Sequence, residues 1–316
     1  MTNDDYAIRT ENLTKRYGRG VLALDDVSIK IAHGEIVGYL GPNGAGKTTT
    51  VKILTNLLRP TSGHAYINGI DANKRPKEAL CHVGALIEVP GVYDYLSPRD
   101  TLTYFGKVHG MTSKDIDARI TEVLKLVKLQ DWENKRIGSF STGMQRRFGI
   151  AKAIFHTPDI LIMDEPVLGL DPKGMKDVRH MIKDFQKQGM TVFLSSHLLE
   201  EVSLTADSVI FLESGKVVDQ DTVENVVARI QSKRISVQFL GPISDSDLTR
   251  VQAIEAVSDL IPKNGGIEFT FDGSPEASAE ILSKMMAMGF KVTAFQPERG
   301  TLEDFYVSIM NDEGVR

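Results

Sequence analysis

Gly41-Pro42-Asn43-Gly44-Ala45-Gly46-Lys47-Thr48 follows the pattern G-x-x-x-x-G-K-[ST]. Glycines at this spacing let consecutive backbone N–H groups point into one concavity, where Lys47 adds a mobile cation and Thr48 a hydroxyl suited to a hard metal ion. The pattern arises by chance in roughly one chain of this size in a hundred, so its setting decides its meaning. On its N-terminal side Glu35-Ile36-Val37-Gly38-Tyr39-Leu40 is a short, apolar, partly β-branched run that stops at Gly41 and reads as a strand. On its C-terminal side Val51, Leu54 and Leu58 recur three or four apart on one helical face, which Pro60 and Gly63 close. Strand, glycine loop and helix is the order a phosphate cradle needs, because the helix N-terminus adds about half a positive charge. Gly41 to Thr48, with Thr49, are the nucleotide-binding candidates.

Outward from the loop, Val27 to Ile31 alternates apolar and polar residues as a strand does, and Ala65-Tyr66-Ile67 reads as a strand entering a tight turn at Asn68-Gly69. From about residue 97 to 155 the spacing becomes helical. Leu102, Phe105 and His109, then Ile116, Ile120, Val123 and Val127, predict a helical subdomain inserted over about residues 90–155. Strand-like runs return at Ile160 to Met163, Thr191 to Leu194 and Ser208 to Leu212, around a helix predicted from about Lys173 to Gln188. This is the alternation of an α/β fold with helices packed on a sheet.

A polar segment near Gln231 to Arg234 predicts a boundary between a first domain, 1–230, and a small α+β domain, 231–316. In the latter Ile235, Val237 and Phe239 alternate, as do Ile267 to Phe271. Ser274 and Pro275 start a helix through Ile281, Met285 and Met288, and Gly289 ends it before Lys291 to Phe295. The methionines Met285, Met286 and Met288 are expected to fill a core.

The bulk composition narrows the classes. Apolar runs such as Ile160 to Met163 fall far short of the ~18 residues of a membrane span. Met1 to Thr10 has neither the basic start nor the apolar stretch of a secretory signal, so the chain is expected in the cytoplasm. Cys81, the single cysteine, reads as a plain thiol. A formal net charge of −5 argues against a nucleic-acid surface.

A second element is Ile160-Leu161-Ile162-Met163-Asp164-Glu165-Pro166, an apolar strand that delivers two carboxylates side by side. Alone it is weak, since buried strands often end in Asp. Paired with the glycine loop, it fits Asp164 as a magnesium holder and Glu165 as the group that orients or deprotonates an attacking water.

With these two elements placed, the chain resembles the ATP-binding-cassette (ABC) ATPases. Phe140-Ser141-Thr142-Gly143-Met144-Gln145-Arg146-Arg147 is similar to the family's signature, usually Leu-Ser-Gly-Gly-Gln, and discriminates it from other nucleotide-binding loops. Gly169-Leu170-Asp171 resembles the D-loop, Ser195-Ser196-His197 the switch histidine, and Tyr17 the aromatic on which adenine stacks. All occur in family order over about residues 7–225. The resemblance implies an ABC-type nucleotide-binding domain with a RecA-like core, an antiparallel β subdomain and an inserted helical subdomain. It implies ATP and Mg2+ as cofactors. It also implies two cassettes meeting head to tail, each ATP held by the loop around Lys47 on one and by Ser141 and Gly143 on the other. Two positions depart from the family. Glu88 stands where the family has a glutamine that senses magnesium and the attacking water; its carboxylate is a metal-ligand and catalytic candidate. Thr142 replaces the first signature glycine, which predicts slow hydrolysis.

The family receives a helix of its membrane partner at the insertion after Glu88, where Val92, Tyr93, Tyr95 and Leu96 are candidates to line the groove. The tail through Thr301-Leu302-Glu303-Asp304-Phe305-Tyr306 resembles the accessory domain behind exporter cassettes whose permease is a separate chain. The implied partners are such a permease and a second ABC ATPase subunit, identical or homologous, with no nucleic acid. The implied place is the inner face of the cell membrane, and the implied cargo is a drug, antibiotic, lipid or ion. Two other classes stay open: a soluble ABC ATPase acting on ribosomes or DNA, and a slow-turnover regulatory module.

Overall fold

The computed structural model describes residues 6–18, 20–87, 93–229, 234–263, 265–271, 273–297 and 301–313. The chain divides into two compact units, Met1–Val223 and Glu224–Arg316. The expected boundary near Gln231 to Arg234 falls almost wholly outside the described residues.

In the first unit β1 (Tyr6–Tyr17) is the spine of an antiparallel sheet on which β2 (Val21–Val27) and β3 (Lys30–Ala32) fold back. The single strand expected over Val27 to Ile31 is broken between β2 and β3. The cause is Thr10, whose Oγ1 donates to Val27 O at 2.8 Å and accepts from Ile29 N at 3.1 Å, replacing ladder bonds at the break. Next comes β4 (Ile36–Leu40), buried at every position, which runs into the glycine loop and α1 (Lys47–Leu54). This helix stops before Leu58 because Thr55 caps it and Asn56 adopts φ +54. The hairpin β5 (Ser62–Ile67) and β6 (Ile70–Asp71) completes the sheet in the order β2-β1-β5-β6.

After α2 (Pro76–Leu80) and β7 (Val83–Leu86), three helices form the inserted segment: α3 (Pro98–Val108), α4 (Ser113–Leu126) and α5 (Thr142–Ile154). Ser97 and Asp100 close a capping box on α3, and Thr112 caps α4. Leu102 on one helix and Ile116, Ile120 and Val123 on the next are buried, the faces their spacing predicts.

The core sheet is finished by β8 (Ile160–Asp164), α6 (Pro172–Lys187), β9 (Thr191–Ser196), α7 (Leu199–Ser203), β10 (Ser208–Glu213) and β11 (Lys216–Thr222). Its order is β11-β10-β4-β9-β8-β7, parallel throughout except for β11 against β10. Strands covered on both faces read as continuous apolar runs, as β4 and β8 do. Their register is level: Leu40 pairs with Ser196 and Asp164 with Ser195. Gly41, Glu165 and His197 therefore leave the sheet along one edge, the carboxyl ends of its strands, where open α/β sheets bind ligands.

In the second unit, α8 (Val223–Arg229) precedes β12 (Arg234–Phe239), α9 (Asp245–Gln252), β13 (Ser258–Lys263), β14 (Gly266–Thr270), α10 (Pro275–Ala287) and β15 (Val292–Pro297), with α11 (Leu302–Glu313) last. The order β13-β14-β12-β15, antiparallel at every step, is the split βαβ of ferredoxin-like folds. Ile235, Val237, Ile267 and Phe269 of the sheet pack with Ile281 and Met285 of α10. Met285 is buried and Met288 packs against that core, whereas Met286 is 62% exposed and takes no part in it.

Candidate functional site

At the end of β4 the backbone can turn only because two positions lack a side chain. Gly46 adopts φ +110, and a Cβ there would lie 2.4 Å from the Ala23 carbonyl oxygen. Gly41 comes as close to the Leu212 carbonyl, at 2.1 Å. Gly46 is also the N-cap of α1, so no capping oxygen covers the first N–H groups of that helix. Those groups and the helix dipole make an anion site. Lys47 Nζ donates to the carbonyls of Gly41 at 2.7 Å and Pro42 at 3.1 Å, and lies 3.8 Å from Glu165 Oε1. Burial pushes its ammonium below the usual lysine value, and the charges of Glu165 and Asp164 oppose that shift. Asn43, Gly44, Gly46, Lys47, Thr48 and Thr49 line a cavity of about 390 Å³, closed on its other side by Glu165, Leu168 and His197. Ala45 points away from it into the core.

The carboxylates stand opposite the loop. Asp164, buried at the end of β8, accepts from Thr48 Oγ1 at 2.9 Å on one oxygen and from Ser195 Oγ on the other. Glu165 adopts φ +49, a left-handed conformation costing on the order of 1 kcal/mol for a residue with a Cβ. Its N–H donates to Ser195 O at 3.1 Å, which holds the turn. Its Oε1 lies 2.9 Å from His197 Nδ1, while Oε2 is buried with no hydrogen-bond partner. Among the described residues no group of three or more His, Cys, Asp or Glu side chains is placed to hold a metal. Thr48 and Asp164 instead supply two hard oxygens in contact. Such a set suits magnesium, which keeps few protein ligands and takes the rest from water and phosphate.

Tyr17 sits at the rim, its hydroxyl 3.4 Å from Thr49 Oγ1 and Lys15 Nζ 5.4 Å from its ring centroid. Ser141 caps α5 by accepting from Met144 N at 3.3 Å. With Thr142 and Gly143 it lines a second cavity, about 680 Å³, together with Leu170, Asp171 and Lys173. The two cavities share no lining residue. The fold thus gathers Lys47, Thr48, Asp164, Glu165 and His197 in one place and leaves Ser141 and Gly143 in another. Glu88 and Val92 lie outside the described residues.

Three contributors receive no role of their own from the sequence patterns. Ser195 anchors both carboxylate positions, and its neighbour His197 was the available signal. Leu168 closes the cavity from the turn after Glu165. Arg146 of the signature stretch is half-buried, and burial lowers its pKa against the opposing pull of Asp164 and Glu165.

Known proteins resemble this chain. The family profile described as ABC transporter matches residues 24–168. The bacitracin transport ATP-binding protein BcrA of Bacillus licheniformis is 41% identical over 223 residues, 70% of this chain and 72% of that protein. The chain belongs to the ABC transporter family. It is an ATP-binding cassette and an ATPase. The bacitracin transport ATP-binding protein BcrA of Enterococcus faecalis is 31% identical over 314 residues, 98% of each chain, so the likeness includes the second unit. Among solved structures, the dimeric post-hydrolysis state of the ATP-binding cassette MJ0796 bound to ADP and Pi superposes with a TM-score of 0.62. It is 27% identical and covers 68% of this chain and 98% of that one. The expected fold class, a RecA-like core with an antiparallel β subdomain and a helical insertion, is borne out by the family and by the sheets described above.

Proposed function

We propose that this cassette powers an exporter, binding and hydrolysing ATP in a head-to-tail pair of cassettes on the cytoplasmic face of the cell membrane, where a separately encoded permease carries the cargo. The observation that carries this is the separation of the two cavities. The signature residues Ser141 and Gly143 open onto space that the chain's own phosphate loop does not reach. A second cassette turned end to end brings one set against the other. The dimeric state of the MJ0796 cassette supports that pairing. Among the described residues no helix is long and apolar enough to cross a membrane. Two relatives named for bacitracin transport, one matching over 98% of both chains, favour an antibiotic or other drug as cargo.

In the closed pair Lys47 and the first N–H groups of α1 hold the β- and γ-phosphates, and Tyr17 stacks on the adenine. Thr48 and Asp164 would hold Mg2+, which would neutralise charge on those phosphates. Glu165 takes the proton of the attacking water, and His197 holds its carboxylate in place through Oε1. Donors already aimed at the developing charge need no rearrangement during the reaction. Loss of the γ-phosphate removes the bridge between the cassettes, and the pair opens.

Affinity purification of the tagged full chain from detergent-solubilised cells tests the assignment. A polytopic membrane protein retained with it, and lost on Lys47→Ala only where ATP stabilises the complex, is the expected outcome. Retention of ribosomal particles in its place overturns it.

A further inference from the structure

The helix that follows His197, α7, is only five residues long and has no side-chain cap at its start. A helix that short has no stability of its own, so its position is set by what it touches. Two side-chain contacts join it to β4 and to α6. Val202 fits against Gly38 of β4 so closely that a Cβ on that glycine would lie 2.2 Å from Val202 Cγ1. Glu201 meets Arg179 of α6, whose Nη2 donates to both carboxylate oxygens at 3.0 Å. The two side chains are 21% and 19% exposed. They wall a small pocket with Pro166 and Val167, the residues after Glu165, and with Ser196, the residue before His197.

We infer that the Arg179–Glu201 ion pair is the tether that sets His197 against Glu165; this rests on the roles proposed above for those two residues. Val202 alone is a pivot: it seats α7 on the sheet but leaves the helix free to turn about the seat. Glu201 supplies the second point and fixes the angle. His197 stands one residue ahead of α7, so a small rotation moves its imidazole away from the carboxylate, and a displacement of about 1 Å at a reacting group can lower turnover about a hundredfold. Partial burial shields the pair from salt. The other end of the tether matters too. α6 is capped by Asp171, whose Oδ1 accepts from Gly174 N at 3.0 Å, so the tether joins His197 to the helix headed by Gly169-Leu170-Asp171. Arg179 and Glu201 touch no substrate in this arrangement and are positioning residues.

The test uses the full chain with Glu201→Gln, Arg179→Lys and the swapped pair Arg179→Glu with Glu201→Arg. The readouts are steady-state ATP hydrolysis, equilibrium binding of a fluorescent ATP analogue and thermal unfolding. Each single variant is expected to lower kcat about tenfold or more, with KM for ATP and nucleotide affinity within about twofold of the parent, and the swap to recover part of the loss. A kcat within about twofold of the parent in both single variants overturns the tether, as does a loss matched by an equal rise in KM. If Glu201→Gln does not fold, Arg179→Lys, which keeps the charge, decides by the same comparison. Glu165→Gln and His197→Ala run alongside. Full activity in those two would sink the site assignment; their inactivation beside active tether variants would sink the tether alone.

Discussion

His197 Nδ1 stands 2.9 Å from Glu165 Oε1, and the second oxygen of that carboxylate is buried without a partner. One oxygen is thereby held and the other is left unpaired. Glu165→Gln keeps an acceptor for His197 but removes the carboxylate proposed above as the base. Turnover is expected to fall roughly 10²-fold or more, with ATP binding retained and the paired state accumulating. Hydrolysis rates and size-exclusion profiles with ATP measure both; equal rates in the two proteins would remove Glu165 from catalysis.

Gly143 is not required by the chain's own packing. A Cβ there would meet only Leu170 Cδ2, at 3.8 Å, an ordinary contact. Gly143→Ala is therefore expected to unfold at the parent's temperature and to bind ATP at the parent's affinity, yet to fail in ATP-driven pairing and hydrolysis. A variant that pairs normally would show that this glycine does not face a partner's nucleotide.

Gly46 is the opposite case. At φ +110 with the Ala23 carbonyl 2.4 Å from the site of a Cβ, Gly46→Ala forces the loop to move. A loss of about 1–3 kcal/mol in folding stability is expected, with nucleotide affinity lost as well. Denaturant unfolding and ATP-analogue titration report the two effects separately.

His156 stacks on His109 with ring centroids 4.6 Å apart, and its Nε2 lies 3.1 Å from the Val83 carbonyl. Burial first, then the charges of His109 and Arg119, hold its pKa below the ordinary 6.5. Between the folded value and 6.5 the unfolded chain binds the proton more readily than the folded one, so stability rises with pH there. This contribution is complete above 6.5 and is lost as pH falls through the folded value. Tm is expected to drop on acidification from about pH 7.5 to about pH 5, less steeply in His156→Gln. Parallel slopes in the two proteins would assign the drop to other groups.

What could be read in advance was local. The phosphate loop, the pair Asp164-Glu165 and His197 sit in short patterns whose residue types announce their chemistry, and each lies where a strand ends. The break between β2 and β3 was hidden because its cause, Thr10, comes 17 residues before Val27 and acts through a side chain. β13 leaves no trace in the sequence because its residues are mostly exposed and include Pro262, so the strand shows no alternation. Arg179 and Glu201 look like ordinary surface charges on two helices until the fold sets them 3.0 Å apart. The spatial parting of Ser141 and Gly143 from Lys47 is likewise a property of the fold; no spacing along the chain encodes it.

The level register of the core strands also fixes when during synthesis this cassette becomes complete. Ile36, the first residue of β4, donates to Asp207, 171 residues further on, and Gly34 to Thr191, 157 further on. A ribosome adding about 5–20 residues per second needs on the order of ten seconds or more to supply those partners. Through that interval β4, apolar and buried at every position in the finished sheet, has neither neighbour, and the glycine loop at its end has no carboxylate opposite it. A nascent cassette therefore cannot hydrolyse ATP until its last parallel strands are made. An apolar strand left unpaired in this way is prone to aggregate while it waits.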